Sequence, residues 1–515
     1  MMPIFIDSAN FTLADVECDI CIVGAGAAGI FLATRLALSG ADVILIEAGG
    51  LRCLPPDEAG FDAKFPASPY PGATLGRSMG VGGATSRWGG LLVPHSSADL
   101  RFSEPLQSGT WEHIVETVKK HGDSVLNTLG LRQGGQFESF SQEALGEMFP
   151  ALESVGLKPI ASLFLPFRNK NMAFLLRKAD KLKVFYHAVV TGFETKLGAG
   201  GQFVRRVNVT SSSGRMCGVQ ARRIVVAAGA IETTRLLLEL QEQTDVFVCR
   251  PKSSLGHFLG DHLSITIADV PADIAGKVIQ AFGPRFANGW MRSFRFLEHT
   301  DDTEIPRSFS HFIFNIDNEG FYLAKEVLSS MQQRRIPCVS THAVLKGISG
   351  IMALGVKRYL CRRLYMPANT TVHLQLDVEQ VPHVENSIFL GQERNHLGRL
   401  IPNIRWAISE KDMERIHNTA KRVLERWRRA GLPKLDDRTL DWNNSKPHDA
   451  YHPVGTCRMG RDEAAVVDEK LKVWGLDNLW LTSTAVFPTA GTANPTFSLL
   501  CLTEALAQDL LASRN

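Results

Sequence analysis

The pattern best suited to chemistry near the start of the chain has no reactive side chain. Gly24-Ala25-Gly26-Ala27-Ala28-Gly29 follows the apolar run CDICIVG (18–24) and opens IFLATRLALSG, whose apolar residues recur at helical spacing. DVILIE (42–47) then reads as a second apolar strand ending in Glu47. Strand, G-x-G-x-x-G, helix, strand and acid together form a device for holding a dinucleotide. Gly24 permits the tight turn, Gly26 lets backbone approach a pyrophosphate, and Gly29 lets the helix pack closely on the strand. The helix start, with Ala27 and Ala28, offers N–H groups and a positive dipole end to phosphate. Glu47 lies 18 residues after Gly29 and suits an adenosine ribose. An acid there favours FAD or NAD over NADP and does not separate the first two.

Other reactive residue types carry less. Cys18-x-x-Cys21 has redox spacing, but redox pairs need a helix N-terminus and these two fall inside the expected first strand. His448 and His452 are i,i+4, yet Pro453 follows at once and stops a helix there, so no metal site is expected. Cys457 reads as a small packing residue. Three further segments are rich in glycine and small residues: GRSMGVGGATSRWGG (76–90), RRIVVAAGAIETTRL (222–236) and the stretch from His452-Pro453-Val454-Gly455-Thr456-Cys457-Arg458-Met459-Gly460 to 500. Six glycines in fifteen positions suit neither a packed helix nor a strand. They suit backbone passing close to a bulky group with its N–H groups exposed. Four separated segments of this kind fit one long cofactor, whereas NAD would need only the first.

The elements that position these segments belong to an ordinary globular chain. Of 515 residues, 44% are apolar and 21% charged, which excludes a disordered protein. Lys+Arg number 56 against 53 Asp+Glu, a net of +3, too balanced for a nucleic-acid footprint. Nine cysteines, an odd count, argue against a fully paired disulfide framework. The N-terminus lacks a basic-then-apolar leader, and the closest approach to a membrane span, 343–356, is short, glycine-broken and carries Lys346. The expectation is a cytoplasmic protein without membrane association. KRYLCRR (357–363) follows that stretch, and together they read as either a basic amphipathic surface element for a membrane or an electron-accepting partner, or a cap helix of the substrate domain.

Taken together, 21–49, 74–90, 222–238, LGHFLGDH (255–262) and 447–510 resemble the glucose-methanol-choline (GMC) family of FAD oxidoreductases. The resemblance covers roughly a third of the chain, with the segments in order. It implies an α/β fold: a Rossmann-like FAD-binding domain interleaved with an α+β substrate domain on an antiparallel sheet. The FAD-binding parts would be 1–100, 181–262 and 445–515, and the substrate parts 101–180 and 263–444. TVHLQLDVE (371–379) and SIFL (387–390) read as strands of that sheet. The implied FAD contacts, beyond the first cradle and Glu47, are Ala48, Arg77, Gly82, Gly83, Ala84, Ser86, Ala228, Gly229, Ser483, Pro495 and Thr496. Val190 would meet the adenine through its backbone. Arg77 and Arg87 lie in the second glycine cluster, where either could pair with phosphate or flavin, or be solvated.

Within the family the chain is most similar to the sugar-oxidising, pyranose-oxidase-like branch. The resemblance implies a catalytic pair of His452 and Asn494, where other branches place a second histidine. Several pyranose oxidases bind FAD covalently through the histidine of a T-H-W stretch. Here the residues are Ser86-Arg87-Trp88, which implies non-covalent FAD. Many relatives also have an acid where this chain has Ser483. The chemistry suits the pair. Histidine is the natural base for a hydroxyl proton as hydride leaves for flavin N5, and a neutral amide donor holds the substrate oxygen without competing for that proton. Pro495 restricts the Asn494 backbone. The expected activity is oxidation of a CH–OH group of a sugar, cyclitol or glycoside. Alternatives are lyase-type chemistry on the same fold, or an apolar alcohol. Oxygen, a quinone and a carrier protein stay open as electron acceptor.

Overall fold

The structure is a computed structural model that describes residues 3–10, 15–100, 109–131, 137–198, 201–243, 252–288, 290–299, 305–438 and 446–513. Two large sheets organise it, each drawing on distant parts of the chain. The first has eight strands. Ile4–Asp7, Lys183–Tyr186, Val43–Ile46, Val16–Val23 and Met216–Val226 lie side by side in that order, all parallel. Gly201–Ser211 and Ala188–Gly198 continue it antiparallel. Leu479–Leu481 returns from far downstream to pair parallel with Met216–Val226. Val43–Ile46 is wholly buried, as a parallel strand covered on both faces must be.

Helix Ala27–Leu38 begins directly after Gly26, its N-cap, and Gly229–Gln243 follows the Ala227-Ala228 turn. Helix Thr496–Ala512 packs against Ala27–Leu38, where Arg35 pairs with the buried Glu504 at 2.7 Å. These elements share one apolar core.

The second sheet has nine strands, every pairing antiparallel. Thr371–Glu379 sits centrally between His262–Asp269 and Ser308–Asn315. Trp290–Glu298 and Leu157–Phe164 continue it. Its face packs on helix Glu410–Arg429 around Trp427 and a group of phenylalanines, a second core. The fold is thus α/β with an interleaved antiparallel part. The expected boundaries at 100/101 and 444/445 touch 101–108 and 439–445, outside the described residues.

Two expectations need correction. SIFL (387–390) does not join the nine-stranded sheet. It begins Ser387–Arg394, which pairs only with Leu400–Arg405 as a separate hairpin. The stretch 343–361 is not broken at its glycines. Thr341–Cys361 is one 21-residue helix lying along Glu319–Gln332. Gly347 and Gly350 sit where the two helices touch.

Candidate active site

A cavity of about 580 Å³ opens between the two sheets. Gly24 has φ +102°, and a Cβ there would come 2.6 Å from the Ala227 carbonyl oxygen, so only glycine fits. Gly29 closes the same corner, since a Cβ would lie 1.9 Å from the Gly24 oxygen. Gly26 is different: a Cβ would meet no protein atom within 4 Å and would project into the cavity. No side chain caps the helix that starts there, and Ala27 and Ala28 line the cavity. This unfilled cradle at a helix N-terminus fits a phosphate group.

Glu47 lies across it. Its carboxylate accepts from the N–H of Ala25 (2.8 Å) and Gly49 (2.9 Å). Burial raises its affinity for a proton against the pull of those donors. Each oxygen keeps a lone pair for a further donor such as a ribose hydroxyl. Ala188 donates to the Glu47 carbonyl at 2.9 Å, placing Ala188, Val189 and Val190 on this part of the wall.

Of the residues named from the sequence, Gly24, Gly26, Ala27, Ala28, Glu47, Ala48, Arg77, Gly83, Ala84, Val190, Ala228, Gly229, His452, Ser483, Asn494, Pro495 and Thr496 all line the cavity. Gly29, Gly82 and Ser86 do not. Gly82 faces the Asn171 side chain and donates to the Ala25 carbonyl at 2.9 Å, while the Ser86 hydroxyl donates to the Gly83 carbonyl at 2.8 Å. They shape the loop from behind.

Arg77 lines the wall, anchored by three of its five N–H donors: Nε to the Ala73 carbonyl, Nη1 to Glu232 and Nη2 to the Phe61 carbonyl. Burial alone would raise the Glu232 carboxyl, yet Arg399, Arg235 and Arg77 pull it down to about 2. Arg87 is exposed at the cavity's edge. Cys18 and Cys21 lie in a strand as expected, and burial pushes the Cys18 thiol up to about 12. Cys457 is buried against Thr234, its thiol also pushed up to about 12.

His452 and Asn494 meet, with the Asn494 amide nitrogen 2.9 Å from His452 Nε2. Both are held from the second sheet. Asp261 accepts from the His452 N–H (2.9 Å to Oδ2), the His262 N–H (2.7 Å to Oδ1) and the Tyr70 hydroxyl (2.6 Å to Oδ2). Burial pushes the Asp261 carboxyl up to about 7 against the Tyr70 hydrogen bond, with Asp449 adding to the rise. Arg295 donates from Nη2 to Asn494 Oδ1 at 2.8 Å and stacks over the Phe309 ring. The loop before Asn494 is pinned by Glu379, which accepts from the Gly491 N–H, and by Asp99, which accepts from the Thr492 N–H.

The hydrogen bonds assign the tautomers. His262 Nε2 is 3.0 Å from the Gly491 carbonyl, an acceptor, so it carries the proton. His262 Nδ1 is then the acceptor for His452 Nδ1 at 3.1 Å. His452 is therefore the Nδ1–H form, with a bare Nε2 lone pair at the cavity. Because Arg295 occupies Asn494 Oδ1, the amide presents its N–H to that lone pair. Burial, then the neighbouring His262, push His452 down to about 3, so it stays a neutral base. Asp261, His262 and His452 also place ligand-type atoms within 4.8 Å of one another. The hydrogen bonds above occupy those atoms.

Sequence reasoning missed Asp261, His262, Arg295 and Tyr70. The segment LGHFLGDH carried the first two as part of the resemblance, without a role.

The cavity thus joins an uncapped helix N-terminus at one wall to a histidine paired with an amide at another. Residues 382–503 match the GMC oxidoreductase family. The chain is 23% identical to an oxygen-dependent choline dehydrogenase of Cronobacter sakazakii, over 96% of this chain and 95% of that one. It is also 23% identical to the 6'''-hydroxyparomomycin C oxidase of Streptomyces lividus, over 97% and 93%. The crystal structure of pyridoxine 4-oxidase from Mesorbium loti shares the fold, with a TM-score of 0.56 over 96% of this chain and 99% of that one, at 18% identity.

Proposed function

We propose that the protein oxidises a CH–OH group of a small, uncharged, hydroxyl-rich molecule such as a sugar, cyclitol or glycoside, with non-covalently held FAD. The observation that carries this reading is the bare His452 Nε2, 2.9 Å from the Asn494 amide inside the cavity that holds the dinucleotide cradle.

FAD, when bound, would accept the hydride from the carbinol carbon. Gly26 and the start of helix Ala27–Leu38 would take its pyrophosphate and Glu47 its ribose. Ser483, Pro495 and Thr496 line the cavity near Asn494, and helix Thr496–Ala512 begins there with no side-chain cap. Its open N–H groups suit negative charge on a reduced ring. A substrate hydroxyl entering between His452 and Asn494 would accept from the amide and give its proton to Nε2. The amide then stabilises developing alkoxide charge. His262 and Arg295 hold both groups in the donor and acceptor states this requires. That one full-length relative is a choline dehydrogenase and another a hydroxyparomomycin oxidase supports alcohol oxidation.

The test is anaerobic mixing of purified protein with a panel of sugars, cyclitols and glycosides, followed at the flavin absorbance. Bleaching by at least one member is expected. Bound flavin that stays oxidised with every alcohol overturns the redox reading, and protein with no flavin band overturns the cofactor.

A further inference from the structure

The helical pair Glu319–Gln332 and Thr341–Cys361 meets along a glycine seam. A Cβ on Gly320 would come 2.5 Å from the Gly350 backbone, and one on Gly350 would come 2.9 Å from the Gly320 Cα. The second helix buries only Gly347 and Gly350. Its large residues are turned outward instead. Leu345, Ile348, Met352, Val356, Tyr359 and Leu360 are all exposed, Leu345 at 71%, Tyr359 at 78% and Leu360 at 79%. Their spacing puts them on one half of the helix circumference, a continuous apolar stripe. A chain surface in water rarely leaves such a stripe uncovered.

Charge within the second helix has one sign, and the acids of the hairpin, Glu319 and Glu326, are on the first, where Glu326 pairs with Arg335. From 327 to 376 the sequence contains no Asp or Glu and seven Lys or Arg. Lys346 and Lys357, three helical turns apart, lie on one flank of the helix, between the stripe and the glycine seam. Among the described residues no helix is long and apolar enough to cross a membrane. An apolar stripe with a basic border and no acid is the composition of a helix lying flat in an anionic interface. Pairing with a second copy through this face would set two acid-free basic borders against each other. The hairpin is also tied to the active site. Gln332, the last residue of the first helix, is buried and donates to the carbonyls of Thr85 and Trp88, two cavity-lining residues.

We propose that this hairpin docks on the surface of an anionic phospholipid bilayer. The stripe enters the headgroup–acyl boundary and Lys346 and Lys357 reach the phosphates. The proposal goes beyond the catalytic reading and does not depend on it.

The experiment is co-sedimentation of the full-length protein with vesicles of phosphatidylglycerol and phosphatidylcholine, or of phosphatidylcholine alone. Binding to the anionic vesicles is expected, about 10-fold weaker to neutral ones and weakened again at ~0.5 M salt. The triple variant Leu345→Ser, Met352→Ser, Tyr359→Ser, and separately Lys346→Glu with Lys357→Glu, should each lose about 10-fold of that binding. Both should keep the wild-type melting temperature and flavin content, because none of these side chains is buried. Wild-type protein that stays in the supernatant with anionic vesicles overturns the proposal. So do folded variants that sediment like wild type. A dimer that the triple variant disperses, with no vesicle binding, would assign the face to a second copy and also overturn it.

Discussion

The Nδ1 atoms of His262 and His452 face each other at 3.1 Å, and this contact decides which nitrogen of His452 can take a proton. The order runs from the Gly491 carbonyl through His262 to His452 and ends at a lone pair in the cavity. Replacing His262 with phenylalanine keeps a ring but removes the acceptor. His452 would then be free to move its proton to Nε2. Flavin reduction should slow by about 10- to 1000-fold, in the range of general-base contributions, with flavin still bound. The pH profile distinguishes this from mere loosening. With one of the groups that depress His452 gone, the acid limb should move up towards the ordinary histidine value. An unchanged rate and profile would defeat the relay.

His452 itself should be the steepest loss. His452→Ala is expected to lower the reductive rate by about 10²- to 10⁴-fold while FAD stays bound. Stopped-flow reduction at saturating substrate checks it, and equal rates in mutant and wild type would rule His452 out as the base.

The depressed pKa sets the pH dependence. An ordinary histidine base loses activity below about pH 6.5. Here burial and His262 push His452 down to about 3, so flavin reduction should show no acid limb between pH 8 and 5 from this group. The stability consequence has a definite sign. Between about 3 and the ordinary value, the unfolded chain carries a proton on this histidine that the folded one does not. Its contribution therefore favours the folded state increasingly as pH rises through that window, and levels off above it. Reduction rates and melting temperatures across the range test both halves. A limb centred near 6.5 would contradict the geometry.

Arg295 offers a case where function and stability part. It is buried, and burial pushes its guanidinium down to about 10 against the attraction of Asp377. Among the described residues its Nε and Nη1 have no hydrogen-bond partner. Arg295→Met removes those unmet donors but also the bond that orients Asn494. The expected outcome is a stability change within about 1–2 kcal/mol of zero, in either direction. Flavin reduction should fall at least ~10-fold, because Asn494 can then turn its oxygen towards His452. A variant as active as wild type would show that the Asn494 orientation is held elsewhere.

Two glycines two residues apart should fail differently. Gly24→Ala forces a Cβ onto the Ala227 carbonyl from a left-handed backbone, at a cost of about 1–3 kcal/mol. Gly26→Ala meets no protein atom, so the melting temperature of flavin-free protein should hold while the purified protein loses its yellow colour. Retained flavin in Gly26→Ala would mean the phosphates lie elsewhere.

The first cradle, its strands and the Met216–Val226 strand with the helix after it were legible because their signals are local. Apolar periodicity and glycine spacing act within about thirty residues. The pairing of His452 with Asn494, the proposed catalytic pair, needed the family resemblance, since a histidine and an asparagine 42 residues apart announce nothing by spacing. Its supports were illegible for the same reason in stronger form. His262 lies 190 residues from His452, and Arg295 lies 199 from Asn494. Arg77 carries a partner its loop does not announce: a buried acid 155 residues on, Glu232. Small residues misled. The glycines of 343–356 read as breaks, yet the helix runs through them, and two, Gly347 and Gly350, are contact points against a neighbouring helix.

Asn494, Pro495 and helix Thr496–Ala512 are placed at the very end of a cavity whose first wall forms at Gly24. During synthesis the cradle and its strands emerge hundreds of residues before the amide that completes the site. Glu504 arrives later still to neutralise Arg35 and close the first core. A nascent or truncated chain could therefore present a cofactor cradle with no assembled proton acceptor beside it. Long-range closure of this kind is slow and leaves apolar surface waiting for its partner.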